Sequence, residues 1–463
     1  MTEQDTARSG AGIAARLDRL PPSRYFLKLV ALIAVGGWFE FYEFAMPGGI
    51  SLGLTHDIFT AGKAGLMAWN SFASFLASFF AGMFIGAFVF AWMSDRHGRR
   101  ATFTWSMLLY SVAIFLTAFS HDAMVIDVLR FIAGFGISVQ LINNDSFISE
   151  ITPRHLRGRY MAFAILLVLT AEPVAVFLSF LLVPHAPLGL AGWRWVVIAG
   201  AMGGVAVWIV RRGLPESPRW LASQGRHAEA EATLAAIEAA VAAEKGPLPA
   251  PDPNHADLPA ERGRWAEMFS PAYRSRTIMI SLFQFCQTIA VFGFLNWVPI
   301  ILVKEGFTIV HSLFYTVLML LLTPVGAGLG LIFAEKYERK WQLVGTALGI
   351  AVFGVAFSQM RSIPLIVFTG AGMTLCANWL IAIFHPYAAE LFPTRIRSQA
   401  VGFTFSWSRI SAILVGYAVT LLLSSYGPAG VFAMIALAMA VIVLAVALMG
   451  PKTNARSLEA IAE

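Results

Sequence analysis

Apolar runs recur along almost the whole chain and alternate with short polar stretches. Most runs are near the roughly 20 residues that an α-helix needs to cross the hydrocarbon core of a bilayer. The pattern therefore predicts an all-α integral membrane protein with twelve membrane-spanning helices, although several runs are short enough to leave a count of eleven open. Numbered 1 to 12 in chain order, the predicted spans are 28–54, 71–93, 101–119, 123–147, 160–183, 193–211, 275–302, 309–333, 341–358, 363–387, 398–424 and 428–449.

A polar segment in the middle of the chain leaves six predicted spans on each side of it. Its Ala/Glu-rich stretch predicts a surface helix, and a Pro-rich linker follows that stretch. The sequence thus indicates two six-helix halves joined by a helical and Pro-rich loop. We expect an N-terminal tail at 1–27, a first half at 28–212, the loop at 213–274, a second half at 275–450 and a C-terminal tail at 451–463.

Positive charges are distributed unevenly among the polar segments. Of the 33 Lys and Arg residues, 27 lie in the two tails, the even-numbered loops or the adjoining ends of spans, while four lie in the odd-numbered loops or the adjoining ends of spans. Because Lys and Arg accumulate in cytoplasmic loops, both termini are expected in the cytoplasm of a multi-pass protein of a bacterial inner membrane. The first residues lack the apolar stretch of a cleaved signal, so span 1 is expected to be the anchor as well.

Two polar motifs between spans, which we call joints, each occur twice, 240 positions apart. The stretch SEITPRHLRGRYMAF at 149–163 matches AELFPTRIRSQAVGF at 389–403, and SDRHGRR at 94–100 matches AEKYERK at 334–340. Agreement at two sites with one offset indicates that the second half is a duplicate of the first. The paired residues are Glu150 with Glu390, Pro153 with Pro393, Arg157 with Arg397, Phe163 with Phe403, Asp95 with Glu335 and Arg99 with Arg339.

These motifs resemble the major facilitator superfamily over essentially the whole chain. The D-R-x-G-R-R joint at 95–100 is typical of that superfamily, and RFIAGFG at 130–136 and PESPRWL at 215–221 resemble its branch of sugar porters and organic-ion carriers. The resemblance implies that the halves rock against each other and that acid–arginine pairs gate the cytoplasmic side. The alternative is that these charges only mark loops and orient insertion. The expected gating residues are Asp95, Arg99, Arg100, Glu150, Arg157, Glu390 and Arg397.

Ionisable residues inside the predicted spans indicate function, because they are costly in a bilayer. At a rise of roughly 1.5 Å per residue, Glu43, Glu40 and Arg130 lie roughly 22, 18 and 20 Å from the cytoplasmic ends of spans 1 and 4. Apolar surroundings favour a neutral carboxyl group and a nearby arginine favours a charged one, so such a pair can load and release a proton. In proton-coupled sugar porters, which this region resembles, an acid in helix 1 faces an arginine in helix 4. We expect Glu43, Arg130 and Glu40 to couple protons, with a static ion pair as the alternative.

Two further charges, Glu172 and Arg409, are predicted near the middle of the membrane. Arg409 resembles the helix-11 arginine that engages substrate in organic-anion members of the same branch. An arginine keeps its charge and needs a carboxylate, which the solute or the protein can supply. An internal pair of Arg409 with Glu172 or another acid is the alternative, and Glu172–Pro173 can also be a helix kink.

Span 7 carries only part of the sugar-porter pattern. Gln287 is kept, whereas Cys286, Phe292, Asn296 and Trp297 replace other members of that pattern. Gly293, Trp297 and Pro299 make this span more similar to niacin and aromatic-acid transporters. The residues expected to bind substrate are Arg409, Gln287, Trp297, Glu172 and Phe292, with plain packing as the alternative for the aromatic pair.

The sequence therefore favours a secondary active transporter, a proton symporter of a small organic or aromatic carboxylate. A sugar or polyol symporter is the first rival, and an organic-cation carrier the next, since three predicted mid-membrane acids face two bases. A membrane sensor is opposed by the small central loop, and an enzyme by the lack of a nucleophile–base set at one depth. We expect a monomer in the lipid bilayer, with the solute and the proton as ligands, no cofactor, no metal and no nucleic-acid partner. Cys286 and Cys376 lack metal-ligand spacing, and His385 is expected to be a packed polar group.

Overall fold

The computed structural model describes residues 12–59, 71–138, 140–210, 213–251 and 264–454. Within these ranges the chain is helical, with turns and short 3₁₀ segments between the helices and no strand. The prediction of an all-α membrane protein is confirmed, because the described helices form twelve spans at the predicted places.

All six spans of the first half begin or end within a few residues of the predicted bounds, and three of the six are interrupted. Span 4 is interrupted at Ser138, span 5 around Leu169–Thr170 and span 6 at Met202. The helices are Arg24–Asp57, Phe72–His97, Arg99–Phe119, Ala123–Ile137 with Gln140–Ile151, Arg157–Val168 with Ala171–Leu182, and Gly192–Ala201 with Gly203–Val210.

The second half repeats this arrangement with two interruptions, around Asn296–Trp297 in span 7 and around Leu321–Leu322 in span 8. Its helices are Arg274–Leu295 with Val298–Lys304, Ile309–Leu320 with Thr323–Phe333, Arg339–Gln359, Ile363–Glu390, Thr394–Ser425 and Gly427–Met449.

Ten of the described spans are long and apolar enough to cross a membrane. Spans 4 and 6, as far as the structure describes them, fall outside that set, and the second part of span 4, Gln140–Ile151, is polar. Local capping helps to define where spans begin: Ser71 and Ser74 form a capping box at span 2, and Asp122 accepts from Val125 at span 4.

The two halves contact each other through spans 2 and 11 and through spans 5 and 8. We call the end of the bundle that carries both tails and the even-numbered loops the basic face, and the other end the far face. At the far face, a Cβ atom on Gly48 would lie 2.7 Å from the carbonyl oxygen of Leu295, so spans 1 and 7 touch backbone to backbone. Gly416 of span 11 similarly lies against Ala73 of span 2.

Aromatic rings fill the same end of the interface. Phe292 of span 7 lies 5.4 Å from Phe44 and 4.6 Å from Phe80, and the rings of Phe72 and Trp297 are 5.2 Å apart. We name these five residues the far-face cluster. Each of them is buried, so the halves are closed at the far face.

Towards the basic face, polar residues inside the bundle are accessible to water. Asp145 of span 4 and His385 of span 10 are exposed although protein atoms surround them. An exposed side chain in such surroundings lines a cavity, so the bundle is open towards the basic face.

A second hydrophobic core lies on the basic face, outside the spans. Residues 12–18 form a helix that packs on the helix His227–Lys245. Arg16 and Arg19 each place a guanidinium nitrogen 2.7 Å from Glu238. Burial alone would raise the pKa of Glu238, but these two hydrogen-bonded guanidinium groups hold it below its ordinary value. The tail therefore docks on the central loop, which its apolar residues Ile13, Leu17 and Leu20 could have indicated.

Candidate solute and proton site

A fully buried ion pair joins span 1 to span 4. Arg130 donates through Nη1 to Oε2 of Glu43, and neither side chain is exposed to solvent. The hydroxyl of Tyr110, on span 3, donates to Oε1 of Glu43 at 2.9 Å. The two residues that the sequence predicted at one depth are thus in contact, and each carboxylate oxygen has its own donor.

Aromatic rings complete the surroundings of Arg130. Its guanidinium carbon lies 4.4 Å from the ring centroid of Phe75 and 4.3 Å from that of Phe79. Aromatic faces attract a cation, and this attraction is strongest where water is absent. The rings therefore help to hold a charged group in an otherwise apolar place and fix the direction in which it points.

Glu40 and Glu43 lie three residues apart but engage different partners. Oε1 of Glu40 lies 3.7 Å from Nη2 of Arg409, which belongs to span 11 in the other half. Glu40 is fully buried, whereas the side chain of Arg409 keeps 17% of its exposure. The internal partner of Arg409 is thus Glu40 rather than Glu172. This pair connects the two halves at the inner end of the cavity.

Glu172 makes another polar connection between the halves within the membrane. The hydroxyl of Thr323, on span 8, donates to Oε2 of Glu172 at 3.2 Å. Glu172 is buried, and both helices are interrupted just before these residues, at Leu169–Thr170 and Leu321–Leu322. The kink predicted at Glu172–Pro173 therefore lies one turn earlier in the chain.

The span 7 residues occupy two separate places. Gln287 is half-buried and donates to Gln284 at 3.2 Å. Phe292 and Trp297 belong to the far-face cluster and are 8% and 4% exposed. In this conformation they close the far face, and their contact with a solute stays a prediction.

The duplicated joints form equivalent ion pairs at the basic face. Arg99 donates to Oε1 of Glu150 at 3.0 Å, and Arg339 donates to both oxygens of Glu390, at 2.8 and 2.6 Å. Both pairs have the same separation of 51 residues and both lie within one half. In a bundle open at the basic face, these gate residues therefore do not bridge the halves.

The remaining gate residues lie beside these pairs. The backbone N–H of Arg100 donates to Glu216 of the central loop, and Arg397 donates to the carbonyl of Phe392 at 3.3 Å. Arg157 begins span 5. Asp95 lies in span 2, but its side chain is outside the described residues.

Sequence reasoning missed three polar residues of the cavity and its surroundings. Tyr110 and Asp145 were not singled out, and His385 was expected to be a packed polar group. The signal for Asp145 was the polar run QLINNDS, which is unusual for a membrane span. Within the described ranges, no group of three or more His, Cys, Asp or Glu side chains is placed to hold a metal ion.

Two six-helix halves around a cavity that is open at one face define a membrane transporter of the major facilitator class. The chain matches the family model described as sugar (and other) transporter over residues 29–463. It belongs to that family of transporters, whose members move solutes and are not enzymes.

Relatives and solved structures agree with this assignment. The chain is 30% identical over 460 residues to the putative metabolite transport protein YyaJ of Bacillus subtilis, which covers 98% of this chain and 99% of that protein. It is 25% identical over 463 residues to the niacin transporter NiaP of Acinetobacter baylyi, covering 97% and 99%. The xylose transporter XylE from E. coli, in a partially occluded inward open conformation, has the same fold, with a TM-score of 0.74 at 18% identity over 94% of this chain and 100% of that chain.

Proposed function

We propose that this transporter is a proton symporter of a small organic solute, and that the solute is an organic or aromatic carboxylate. The observation that carries the proposal is Arg409, a cation at the inner end of the cavity whose neighbour Glu40 belongs to the other half. A solute carboxylate would bind there in place of that neighbour. The niacin transporter among the relatives supports the choice of solute, because niacin is an aromatic carboxylic acid.

We infer that a solute anion can replace Glu40 as the partner of Arg409. A separation of 3.7 Å is an electrostatic contact and exceeds the distance of a hydrogen bond. A guanidinium group presents a planar set of donors that matches a carboxylate at two points. Its guanidinium carbon also lies 5.8 Å from the ring centroid of Phe44, a member of the far-face cluster, whose rings would cover a flat apolar body.

Glu43 is the proposed proton carrier, with Arg130 as its counter-charge. A proton on Glu43 would cancel the attraction that holds span 1 to span 4, and the loss of that proton would restore it. Tyr110 stays hydrogen-bonded to the same carboxyl group. The rocking of the halves would expose the group to one face and then to the other, with Arg99, Arg100, Asp95, Glu150, Arg157, Glu390 and Arg397 gating the basic face.

We place the basic face in the cytoplasm of a bacterial inner membrane, because it carries 27 of the 33 Lys and Arg residues. On that assignment the cavity of this conformation opens towards the cytoplasm. The protein acts as a monomer in the bilayer, with the solute and the proton as its ligands.

A sugar or polyol is the second candidate solute. Gln284 and Gln287 lie together on span 7, and an arabinose-proton symporter of Bacillus subtilis is a relative at 25% identity over 388 residues. An organic cation is the third, since Asp145 adds an accessible acid to the cavity.

Counterflow uptake into proteoliposomes separates these candidates. The purified protein would be loaded with one unlabelled compound and offered labelled carboxylates, sugars and amines in turn, with and without a pH gradient. We expect exchange of a carboxylate, and its accumulation when the outside is acidic. Exchange of sugars or amines alone would contradict the carboxylate, and accumulation that ignores the pH gradient would contradict proton coupling.

A further inference from the structure

Glu172 is a buried acid that the proposed proton path does not use. It lies in span 5 at the interface between the halves and accepts a hydrogen bond from Thr323 of span 8 at 3.2 Å. Spans 5 and 8 are in contact from this level to the far face, where the rings of Phe180 and Phe314 lie 5.6 Å apart. Glu172 thus lies at the inner end of the surface that must separate when the far face opens.

The charged and titratable groups on the packed helices are engaged elsewhere. On span 1, Glu43 pairs with Arg130 and Glu40 with Arg409. On span 6, Arg194 donates to the carbonyl oxygens of Ala118 and Ser120.

The titratable groups of span 8 and the phenol of Tyr42 on span 1 also give Glu172 no counter-charge. His311 and Tyr315 stack on each other nearer the far face. At a rise of roughly 1.5 Å per residue, His311 lies roughly 18 Å along span 8 from Thr323. Tyr42 donates to the carbonyl oxygen of Val196. Within the described residues, the partner of Glu172 is therefore the neutral hydroxyl group of Thr323.

We propose that Glu172 is a second proton-binding site, separate from Glu43, and that the far face closes only when this site is occupied. Burying a carboxylate beside a hydroxyl group is costly, whereas a protonated carboxyl group can be buried there. When the halves separate at the far face, water reaches the carboxylate and takes the proton away. Closure reverses this: a proton from water on the far side binds the carboxylate, and Thr323 then donates to the neutral group.

This proton controls closure and is not carried across. In the present structure the basic face is open while Glu172 is buried and keeps 7% of its exposure, so we expect its proton not to leave to that side. The closed state binds one proton more than the open state, and its population relative to the open state therefore rises as the pH falls. For a single proton the ratio changes by up to about tenfold per pH unit in the range where the group titrates.

Thiol accessibility at the far face tests the proposal. Ala73 is buried against Gly416 in the closed far face, so an Ala73→Cys variant would react with a membrane-impermeant thiol reagent only when that face opens. The background would carry Cys286→Ser and Cys376→Ser. Labelling is measured on purified protein in proteoliposomes without solute and without a pH gradient, and each rate is divided by the rate for the same variant unfolded at the same pH, because only the thiolate reacts. The result is therefore independent of whether the carrier couples transport to protons at all.

We expect labelling of the otherwise unchanged protein to slow as the pH is lowered. With Glu172→Gln, a neutral group of the same shape, labelling should be slow at every pH. Thr323→Val should speed labelling roughly two- to tenfold where the site is protonated, since it removes one hydrogen bond across the interface. His311→Gln removes another titratable group of span 8, is the matched control and should keep the pH dependence.

Two outcomes would overturn the proposal. The first is a Glu172→Gln protein that keeps the full pH dependence of labelling. The second is labelling that does not change with pH in protein that keeps Glu172. A monodisperse elution profile and a cooperative thermal unfolding transition of the same Glu172→Gln protein show that it is folded, so a flat profile cannot come from unfolding.

Discussion

The two halves of the transporter are alike at their basic-face joints and unlike in the membrane. The ion pairs Arg99–Glu150 and Arg339–Glu390 correspond residue by residue at an offset of 240. At the same offset, Arg130 corresponds to Gly370, Arg409 to Leu169 and Glu172 to Ala412. The duplicated parts are those that both halves need in order to move, whereas each ionisable group of the site occurs once. The two halves are thus alike in the joints that both need in order to move and different in the ionisable residues of the site.

The braces of the two joints also differ. In the first half Gly98 has a φ of 96°, which favours glycine, and a Cβ atom there would lie 2.5 Å from Oε2 of Glu216. In the second half Glu338 takes the corresponding place with a φ of −56°, and its carboxylate accepts from the backbone of Thr453 at 2.9 Å. The central loop therefore contacts and stabilises the first joint, and the C-terminal tail contacts and stabilises the second.

The largest effect is expected from changing Glu43, a position at which the second half has no equivalent acid. Glu43→Gln should abolish accumulation driven by a pH gradient and leave solute exchange intact, because the site loses its proton but keeps its shape. Uptake and counterflow in the same proteoliposomes measure both. Glu40→Gln is the control and should do less. Full accumulation by Glu43→Gln protein would remove Glu43 from the coupling role.

Removing Arg130 should impair coupling as well, and it should also destabilise the protein. Taking one partner from a buried ion pair typically costs about 3–5 kcal/mol, since the other charge is left without compensation. Thermal unfolding of Arg130→Ala beside an Arg130→Ala/Glu43→Gln protein tests this. The second change should recover part of the loss, and no recovery would show that Arg130 acts independently of Glu43.

Arg409→Lys should weaken the binding of an anionic solute by roughly one to two decades. Lysine keeps the charge but loses the two-point contact, and a hydrogen bond to a charged group contributes about 1.5–3 kcal/mol. Binding of an acid and of its neutral amide to monodisperse protein measures the effect. Unmodified protein that binds both equally would favour the sugar or cation candidates.

Neutralising Arg157 and Arg397 together should change the resting conformation several-fold towards the state open at the basic face. Rocking carriers have states only a few kcal/mol apart, so weak gate contacts are enough to shift them. Cysteine accessibility inside the basic-face cavity measures the shift, with each single change as the matched comparison between halves. Unchanged accessibility would leave both residues as markers of orientation.

The smallest effect is expected at the first joint. Burial raises the pKa of Glu216, and the N–H groups of Ser217 and Arg100 offset only part of this. Because the folded joint binds the proton more tightly than the unfolded chain, its contribution to stability is greatest in acid and is lost as the pH rises through the folded pKa. Glu216→Gln should remove this dependence and move the Tm by roughly 2 °C at neutral pH. A Tm profile against pH that Glu216→Gln leaves unchanged would exclude Glu216 as its source.

The spans could be predicted from the sequence because the apolar runs alone determine them. The contact between Glu43 and Arg130 also followed, since charges within one apolar layer have few partners. Other features depend on how the helices rotate and pack, which periodicity does not determine. Examples are the pairing of Arg409 with Glu40, the hydroxyl of Thr323 beside Glu172 and the placement of Trp297 at the closed far face.

Arg130 also has a consequence for how the chain is made. An arginine at the centre of a helix costs about 2.5–3.5 kcal/mol on insertion through the translocon. Glu43 is synthesised 87 residues earlier, so span 1 can wait in the bilayer as a counter-charge when span 4 emerges from the ribosome. The order of synthesis thus supplies the acid before the base. Loss of Glu43 should reduce the yield of correctly integrated protein before any solute is transported.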